Sequence, residues 1–153
     1  MARAPFQVLV FPFRPEMSGR LLYAVFQRAD DGRWQGIAGG GEDTETPLEA
    51  ARRECLEEAG IVEGNDHWLP LDSRASIPAV HFKESAAWGE QVYVIPEYTF
   101  GVMLSSSVIQ PANCHRVYQW VSYTEAIQLL TYDSNRTALW ELNQKLLGKG
   151  PRE

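Results

Sequence analysis

The spacing of apolar and polar positions along the chain predicts strands and helices in mixed order. Segments rich in turn-forming residues separate the first strands, at 14–19 and 29–33. Several hairpin-like connections indicate a mixed β-sheet with helices packed on its faces, which is an α/β (α+β) fold. The predicted strands lie at 6–13, 21–27, 34–38, 75–82, 91–103 and 117–121, and two helices close the chain, at 124–130 and 135–147.

The clearest helix signal begins after residue 46. Thr46 is a good N-cap, Pro47 suits the first helical position, and Glu49 completes a capping box. Gly60 is a natural C-terminal stop for this helix. Its apolar side chains form one stripe, at Leu48, Ala51, Cys55 and Ala59.

Composition and charge fit a single globular domain over residues 1–153. Hydrophobic residues make up 44% of the chain and charged residues 22%, which is ordinary for a folded protein. The chain has 14 Lys and Arg against 20 Asp and Glu, a net charge of -6. We therefore expect no nucleic-acid polymer as partner, because such surfaces are normally basic. Small phosphorylated substrates stay compatible, since a bound metal can reverse the local charge.

The thiols and the absence of long apolar runs predict a cytoplasmic protein that does not bind membranes. Cys55 and Cys114 form no CxxC pair, and two isolated thiols fit a reducing compartment. The first residues contain no signal-peptide apolar stretch, and no apolar run approaches transmembrane length.

Three glutamates on the predicted helix are candidates for binding a metal. Glu54, Glu57 and Glu58 lie at i, i+3 and i+4, so their carboxylates share one face. Such a cluster repels itself, and Mg²⁺ takes one or two carboxylates together with waters and substrate phosphates. The cluster therefore predicts a Mg²⁺ site, in which Mn²⁺ can substitute. Arg53 precedes it and can form a bidentate pair with one of its carboxylates, which fixes that rotamer.

The glycines from Gly39 to Gly41 lie just before this helix. Glycine lets the backbone approach other groups closely and adopt unusual dihedrals, so we expect a loop that faces metal-bound phosphates. Acidic residues on an exposed helix are more often only a solvated face. The joint pattern, at fixed spacing and with a capped helix, favours the functional interpretation.

The segment 39–61 resembles the Nudix box, whose pattern is G-x5-E-x7-R-E-U-x-E-E-x-G-U, with U a bulky aliphatic residue. Ile61 fits the final U, and Cys55 stands at the other, where a buried thiol acts as a small hydrophobe. All seven fixed positions are occupied, by Gly39, Glu45, Arg53, Glu54, Glu57, Glu58 and Gly60. The resemblance implies that Glu45 is a supporting residue, more structural than catalytic.

The resemblance implies an α/β/α sandwich and the hydrolysis of a nucleoside diphosphate linked to another group. It implies that Glu54, Glu57 and Glu58 are catalytic metal ligands, with Glu54 sometimes proposed as general base. Arg53 would orient the carboxylates, and Gly39 would shape the loop of the metal site. The metal would activate water, neutralise charge and position the diphosphate for in-line attack.

The segments outside the box are similar to the bacterial dihydroneopterin triphosphate diphosphatases, which release diphosphate from a pterin triphosphate. The similarity lies in Trp34-Gln35, in His115 and in the segment 134–136. Trp34 is a candidate for stacking on a base or pterin ring, and a core or rim tryptophan is the alternative. His115 is a candidate for contacting substrate, and a hydrogen-bonded structural histidine is the alternative.

One position departs from that subfamily, which usually has a glutamate, a further metal ligand, where this chain has Cys114. A thiol is a poor ligand for Mg²⁺. Glu97 or Glu90 could serve instead, water could take the place, or the activity differs.

The predicted substrate is a small nucleotide or pterin triphosphate, such as dihydroneopterin triphosphate or a dNTP, cut with release of diphosphate. Hydrolysis of an NDP-sugar or a dinucleotide polyphosphate is the alternative within the family. A non-catalytic ligand-sensing domain is a further alternative, which the loss of box carboxylates would favour, and all of them are present. The preferred metal, the scissile bond and the oligomeric state, a homodimer included, stay open.

Overall fold

The computed structural model describes residues 2–110 and 117–150. Two 3₁₀ turns lie at Asn65–His67 and Ala79–His81. The strands are β1 (Arg3–Pro15), β2 (Leu21–Gln27), β3 (Trp34–Gln35), β4 (Ile37–Glu42), β5 (Trp68–Pro78), β6 (Val94–Met103) and β7 (Val117–Val121). The helices are α1 (Pro47–Ala59), α2 (Ser85–Trp88), α3 (Tyr123–Leu129) and α4 (Asp133–Leu146).

The strands form one mixed sheet around β1. Its main order is β3-β2-β1-β6-β5, while β4 also pairs with β1 and β7 with β2. β1 is antiparallel to β2 and β4 and parallel to β6. The parallel pairing places Gln7 of β1 opposite Glu97 of β6, a register on which one wall of the site depends.

Helices cover both faces of the sheet. Alternate side chains of β1 enter different cores, as the two-residue period of a strand requires: Val8 joins one cluster and Leu9 the other. The first cluster includes the apolar stripe of α1, and the second includes side chains of α3 and α4. This arrangement confirms the predicted α/β/α sandwich with a mixed sheet between helices.

The ends of α1 agree with the sequence prediction. Thr46 Oγ1 accepts a hydrogen bond from the Glu49 backbone N–H at 3.2 Å, and the Glu49 carboxylate accepts one from the Thr46 N–H at 2.8 Å. Gly60 ends the helix in the left-handed region, at φ +67°. The helix that carries the box is therefore fixed by local signals at both ends.

The glycine segment was predicted wrongly as a loop with unusual dihedrals. Gly39 and Gly40 lie in β4, opposite Val8 and Gln7 of β1, and neither has a positive φ. The expected close approach is present, since a Cβ at Gly40 would lie 1.9 Å from the Arg3 guanidinium carbon. Crowding from neighbouring side chains, rather than backbone strain, accounts for these glycines.

β5 also differs from the prediction, because it begins at Trp68 and ends at Pro78. Its pairing with β6 shifts register between Pro70 and Arg74, which breaks the apolar alternation on which the prediction relied. No helix within 2–110 and 117–150 is long and apolar enough to cross a membrane.

Candidate functional site

Arg53 is the centre of the hydrogen-bond network around the box. Its Nε and Nη2 donate to the two carboxylate oxygens of Glu45 at 2.8 and 3.0 Å, and Nη2 also donates to the Gly40 carbonyl at 2.7 Å. Its Nη1 donates to Glu54 at 3.1 Å and to Glu57 at 3.2 Å. The predicted bidentate pair therefore exists, but its partner is Glu45 and not a carboxylate of the helix cluster, which corrects that expectation.

Glu45 joins the start of α1 to β4. Besides the Arg53 fork, its carboxylate accepts a hydrogen bond from the Glu42 backbone N–H at 2.8 Å. Hydrogen bonding to Arg53 holds the pKa of Glu45 below its usual range, and the same pairing raises the pKa of Arg53. These contacts agree with a supporting role for Glu45.

The network carries more negative than positive charge. One oxygen of Glu42 lies 3.7 Å from Arg53 Nη1, while its other oxygen is buried without a hydrogen-bond partner in the described part of the chain. One guanidinium is thus surrounded by four carboxylates, those of Glu42, Glu45, Glu54 and Glu57. A divalent cation would offset this surplus, and its preferred ligands are the oxygens present here.

The three helix carboxylates differ in exposure. The Glu54 side chain is 14% exposed, and burial, partly opposed by Arg53, raises its pKa, whereas Glu57 is 57% exposed. Glu58 is half-buried and lines the cavity described below. Within residues 2–110 and 117–150, no three acidic, His or Cys side chains converge as a preformed metal cage. The donor set still fits Mg²⁺, which binds through few carboxylates and keeps waters and phosphates as its other ligands.

Gly39 provides the space for the Glu54 carboxylate. A Cβ at Gly39 would lie 2.1 Å from Glu54 Cδ and within 2.5 Å of both its oxygens. Gly39→Ala should therefore displace this carboxylate and lower kcat by about 100-fold, since a misplacement of about 1 Å can cost that much. Gly64→Ala, at an extended position with φ -69°, is the matched control. An unchanged kcat in Gly39→Ala would show that the position of Glu54 is unimportant for turnover.

A cavity of about 560 Å³ lies beside Glu58, a volume typical of small-molecule sites. Three of its polar lining side chains are almost fully buried: Gln35 and Glu97 are 6% exposed and Asn135 is 4% exposed. The Asn135 side-chain oxygen accepts a hydrogen bond from the Gly36 N–H at 2.9 Å, which joins the start of α4 to the break between β3 and β4. The cavity wall is therefore built from distant segments.

Burial raises the pKa of Glu97 to about 7, and burial is the sole cause of the shift. Between the ordinary value of 4.5 and about 7, the folded chain keeps a proton that the unfolded chain releases. The free energy of unfolding should therefore fall by roughly 3 kcal/mol as pH rises through this window. Urea unfolding at pH 5 and pH 8 should show that Glu97→Gln removes most of this fall. If the free energy of unfolding fell equally with pH in this variant and in the wild type, the assignment of the fall to Glu97 would be contradicted. Glu16→Gln, in the β1–β2 turn, is the control.

Of the other residues predicted from the sequence, not all line the cavity. The Trp34 side chain is half-buried against the core on the α3 and α4 side and is not among the described residues that line the cavity. Its neighbour Gln35 lines the cavity instead. His115 and Cys114 lie outside the described residues. Glu90, proposed as a substitute acid, is exposed and does not line the cavity, whereas Glu97 does.

Several cavity residues were not predicted from the sequence. Gln7, Phe82 and Tyr132 line the cavity and belong to no motif. Phe82 follows the 3₁₀ turn after β5, and Tyr132 immediately precedes α4. No local sequence signal marks them, because the sheet pairing and helix packing bring them together.

Family membership is decided by a match over nearly the whole described chain. Residues 5–141 match the family model of the NUDIX domain. The chain belongs to the Nudix family. The match confirms the family that the box at 39–61 predicts.

Solved structures and a curated relative agree with this membership. A Listeria monocytogenes protein assigned as a NUDIX hydrolase is 42% identical, with a TM-score of 0.83 and coverage of 96% of this chain and 99% of that chain. The E. coli dihydroneopterin triphosphate pyrophosphohydrolase is 23% identical, with a TM-score of 0.70 and coverage of 94% of this chain and 99% of that chain. At this identity the similarity shows the fold alone. The Arabidopsis thaliana protein Nudix hydrolase 12, mitochondrial, is 35% identical over 104 residues, 67% of this chain. The match spans about half of that relative's length, 49%.

Proposed function

We propose that this Nudix protein is a metal-dependent pyrophosphohydrolase that cuts a phosphoanhydride bond in a nucleoside diphosphate derivative. The observation that carries the proposal is the complete box, folded as a capped helix, with four carboxylates around Arg53. Such a surplus of oxygen ligands suits a divalent cation that also binds substrate phosphates. Every box carboxylate is present, which favours turnover over ligand sensing.

The residues of the box take separate roles in this proposal. Glu54, Glu57 and Glu58 would hold Mg²⁺ or Mn²⁺, and the bound metal would supply charge neutralisation and an activated water. Arg53 positions Glu54 and Glu57 through its hydrogen bonds to them. Gly39 leaves the space that the Glu54 carboxylate occupies.

The cavity beside Glu58 holds the remainder of the substrate. Its volume of about 560 Å³ suits a bicyclic ring with a sugar or side chain, and Phe82 and Tyr132 supply aromatic surface. We therefore propose a purine or pterin triphosphate as substrate, cleaved between the α and β phosphates with release of diphosphate. The net charge of -6 supports a small phosphorylated substrate over a nucleic-acid polymer. The single domain and the cytoplasmic location stay predictions, and the oligomeric state, a homodimer included, stays open.

Product analysis tests the bond that is cut. The wild type is incubated with dihydroneopterin triphosphate or dGTP and Mg²⁺ in ¹⁸O-labelled water, and phosphorus NMR identifies the products. We expect diphosphate and a monophosphate ester. Orthophosphate as the first product would place cleavage at the terminal phosphate and contradict the proposal, and a strong preference for ADP-ribose over every triphosphate would contradict the substrate class.

A further inference from the structure

Glu97 is a buried acid without a partner in the described part of the chain. Its side chain is 6% exposed, and no described residue donates a hydrogen bond to its carboxyl group. The Gln35 side chain is also 6% exposed, and it has no hydrogen-bond partner in the described part of the chain. Both side chains line the cavity, and neither has a fully buried polar atom without a partner, so their polar atoms are open to a group that enters the cavity. A ligand that pairs with these groups would offset the cost of withdrawing them from water when it fills the cavity.

The charge of the cavity wall indicates what kind of group it binds. Among the described lining residues, the basic side chains are Arg28 and His81. The Arg28 guanidinium is already engaged, because its Nε and Nη2 donate to both oxygens of Asp30 at 3.0 and 2.8 Å. With Glu58 and Glu97 in the wall, the cavity suits an uncharged, hydrogen-bond-donating part of a ligand and does not suit its phosphates.

We propose that Glu97 determines substrate specificity by accepting two parallel N–H···O bonds, from the ring N–H and the adjacent 2-amino group that guanine and pterin share. The inference rests on the proposed function and adds which ring the cavity selects. The two carboxylate oxygens match a ring N–H beside an exocyclic amino group, a bidentate geometry that carries both energy and specificity. Adenine presents a donor beside an acceptor, so one carboxylate oxygen would face a lone pair. Sites built on such buried polar groups reject an analogue that leaves them unpaired.

Equilibrium binding of GMP and IMP tests this assignment, because IMP differs from GMP only by lacking the 2-amino group. Calorimetry with the full chain at pH 8.5 keeps the Glu97 carboxyl ionised and needs no turnover. We expect the wild type to bind GMP at least 10-fold more tightly than IMP, within the range for one bidentate pair. Glu97→Gln should bring the two affinities to within about 3-fold of each other, because the amide presents one donor in place of an acceptor. Glu16→Gln, outside the cavity, should keep the wild-type ratio.

Several outcomes would overturn the inference. Equal affinities of the wild type for GMP and IMP would do so without any variant, as would the absence of GMP binding at millimolar concentration. A GMP preference that survives in a folded Glu97→Gln variant would move the recognition to another residue. The proposed function is tested separately from the ring site. GMP selectivity without hydrolysis of any nucleotide would support the ring site and contradict the proposed hydrolase. Hydrolysis without GMP selectivity would support the hydrolase and contradict the ring site.

Discussion

Glu57→Gln and Glu58→Gln should each lower turnover by several powers of ten while the chain stays folded. Glutamine keeps the size of the side chain but removes the anionic oxygen that a divalent cation needs. Loss of a general base alone typically costs about 10²- to 10⁴-fold, and loss of a metal ligand adds to it. The Glu57 side chain is 57% exposed, so its replacement should leave thermal unfolding nearly unchanged.

The measurement is kcat with saturating Mg²⁺ on any substrate that the wild type cleaves. Glu16→Gln removes one carboxylate from the β1–β2 turn and should retain wild-type turnover. Wild-type kcat in both box variants would contradict the assignment of these carboxylates to the metal site.

The second large effect is expected for Arg53→Lys. Lysine keeps the charge, but one ammonium group cannot hold the fork to Glu45 while donating to the Gly40 carbonyl and to Glu54. Replacing a residue that orients metal ligands typically lowers metal affinity or activity by 10- to 100-fold. We therefore expect kcat to fall by about this factor, with KM little changed.

A matched control lies next to Arg53 in the sequence. Arg52 is on the same helix but is exposed, and its guanidinium donates to Asn65, away from the box acids. Arg52→Lys should therefore keep wild-type kinetics. If a raised KM were the only defect of Arg53→Lys, Arg53 would bind the substrate equally strongly in the ground state and the transition state. That result would contradict a positioning role.

The box helix could be predicted from sequence because its determinants are local. Thr46, Glu49 and Gly60 fix its ends within a few residues of chain, and the three glutamates share a face through helical periodicity alone. The partner of Arg53 could not be chosen in the same way. Glu45 lies before the helix, and the backbone path through Glu42 decides that its carboxylate meets the guanidinium.

The cavity depends on pairing between distant segments, which a single sequence does not specify. Glu97 reaches it because β6 pairs in parallel with β1 in one register, and a shift by one residue would turn its side chain to the other face. Asn135 reaches it from the start of α4, where its oxygen binds the Gly36 N–H. The glycine strand was mispredicted because glycine is rare in strands, whereas here the neighbouring Arg3 and Glu54 side chains leave no room for a Cβ.

Turnover of a substrate panel with and without metal tests whether this Nudix protein is a metal-dependent hydrolase. The panel contains dihydroneopterin triphosphate, the dNTPs, ADP-ribose and diadenosine polyphosphates, each incubated with Mg²⁺ and with EDTA. We predict hydrolysis of at least one triphosphate with Mg²⁺, its loss in EDTA, and its recovery when Mg²⁺ or Mn²⁺ is restored. Hydrolysis that continues unchanged in EDTA, or no hydrolysis of any compound with either metal, would contradict it.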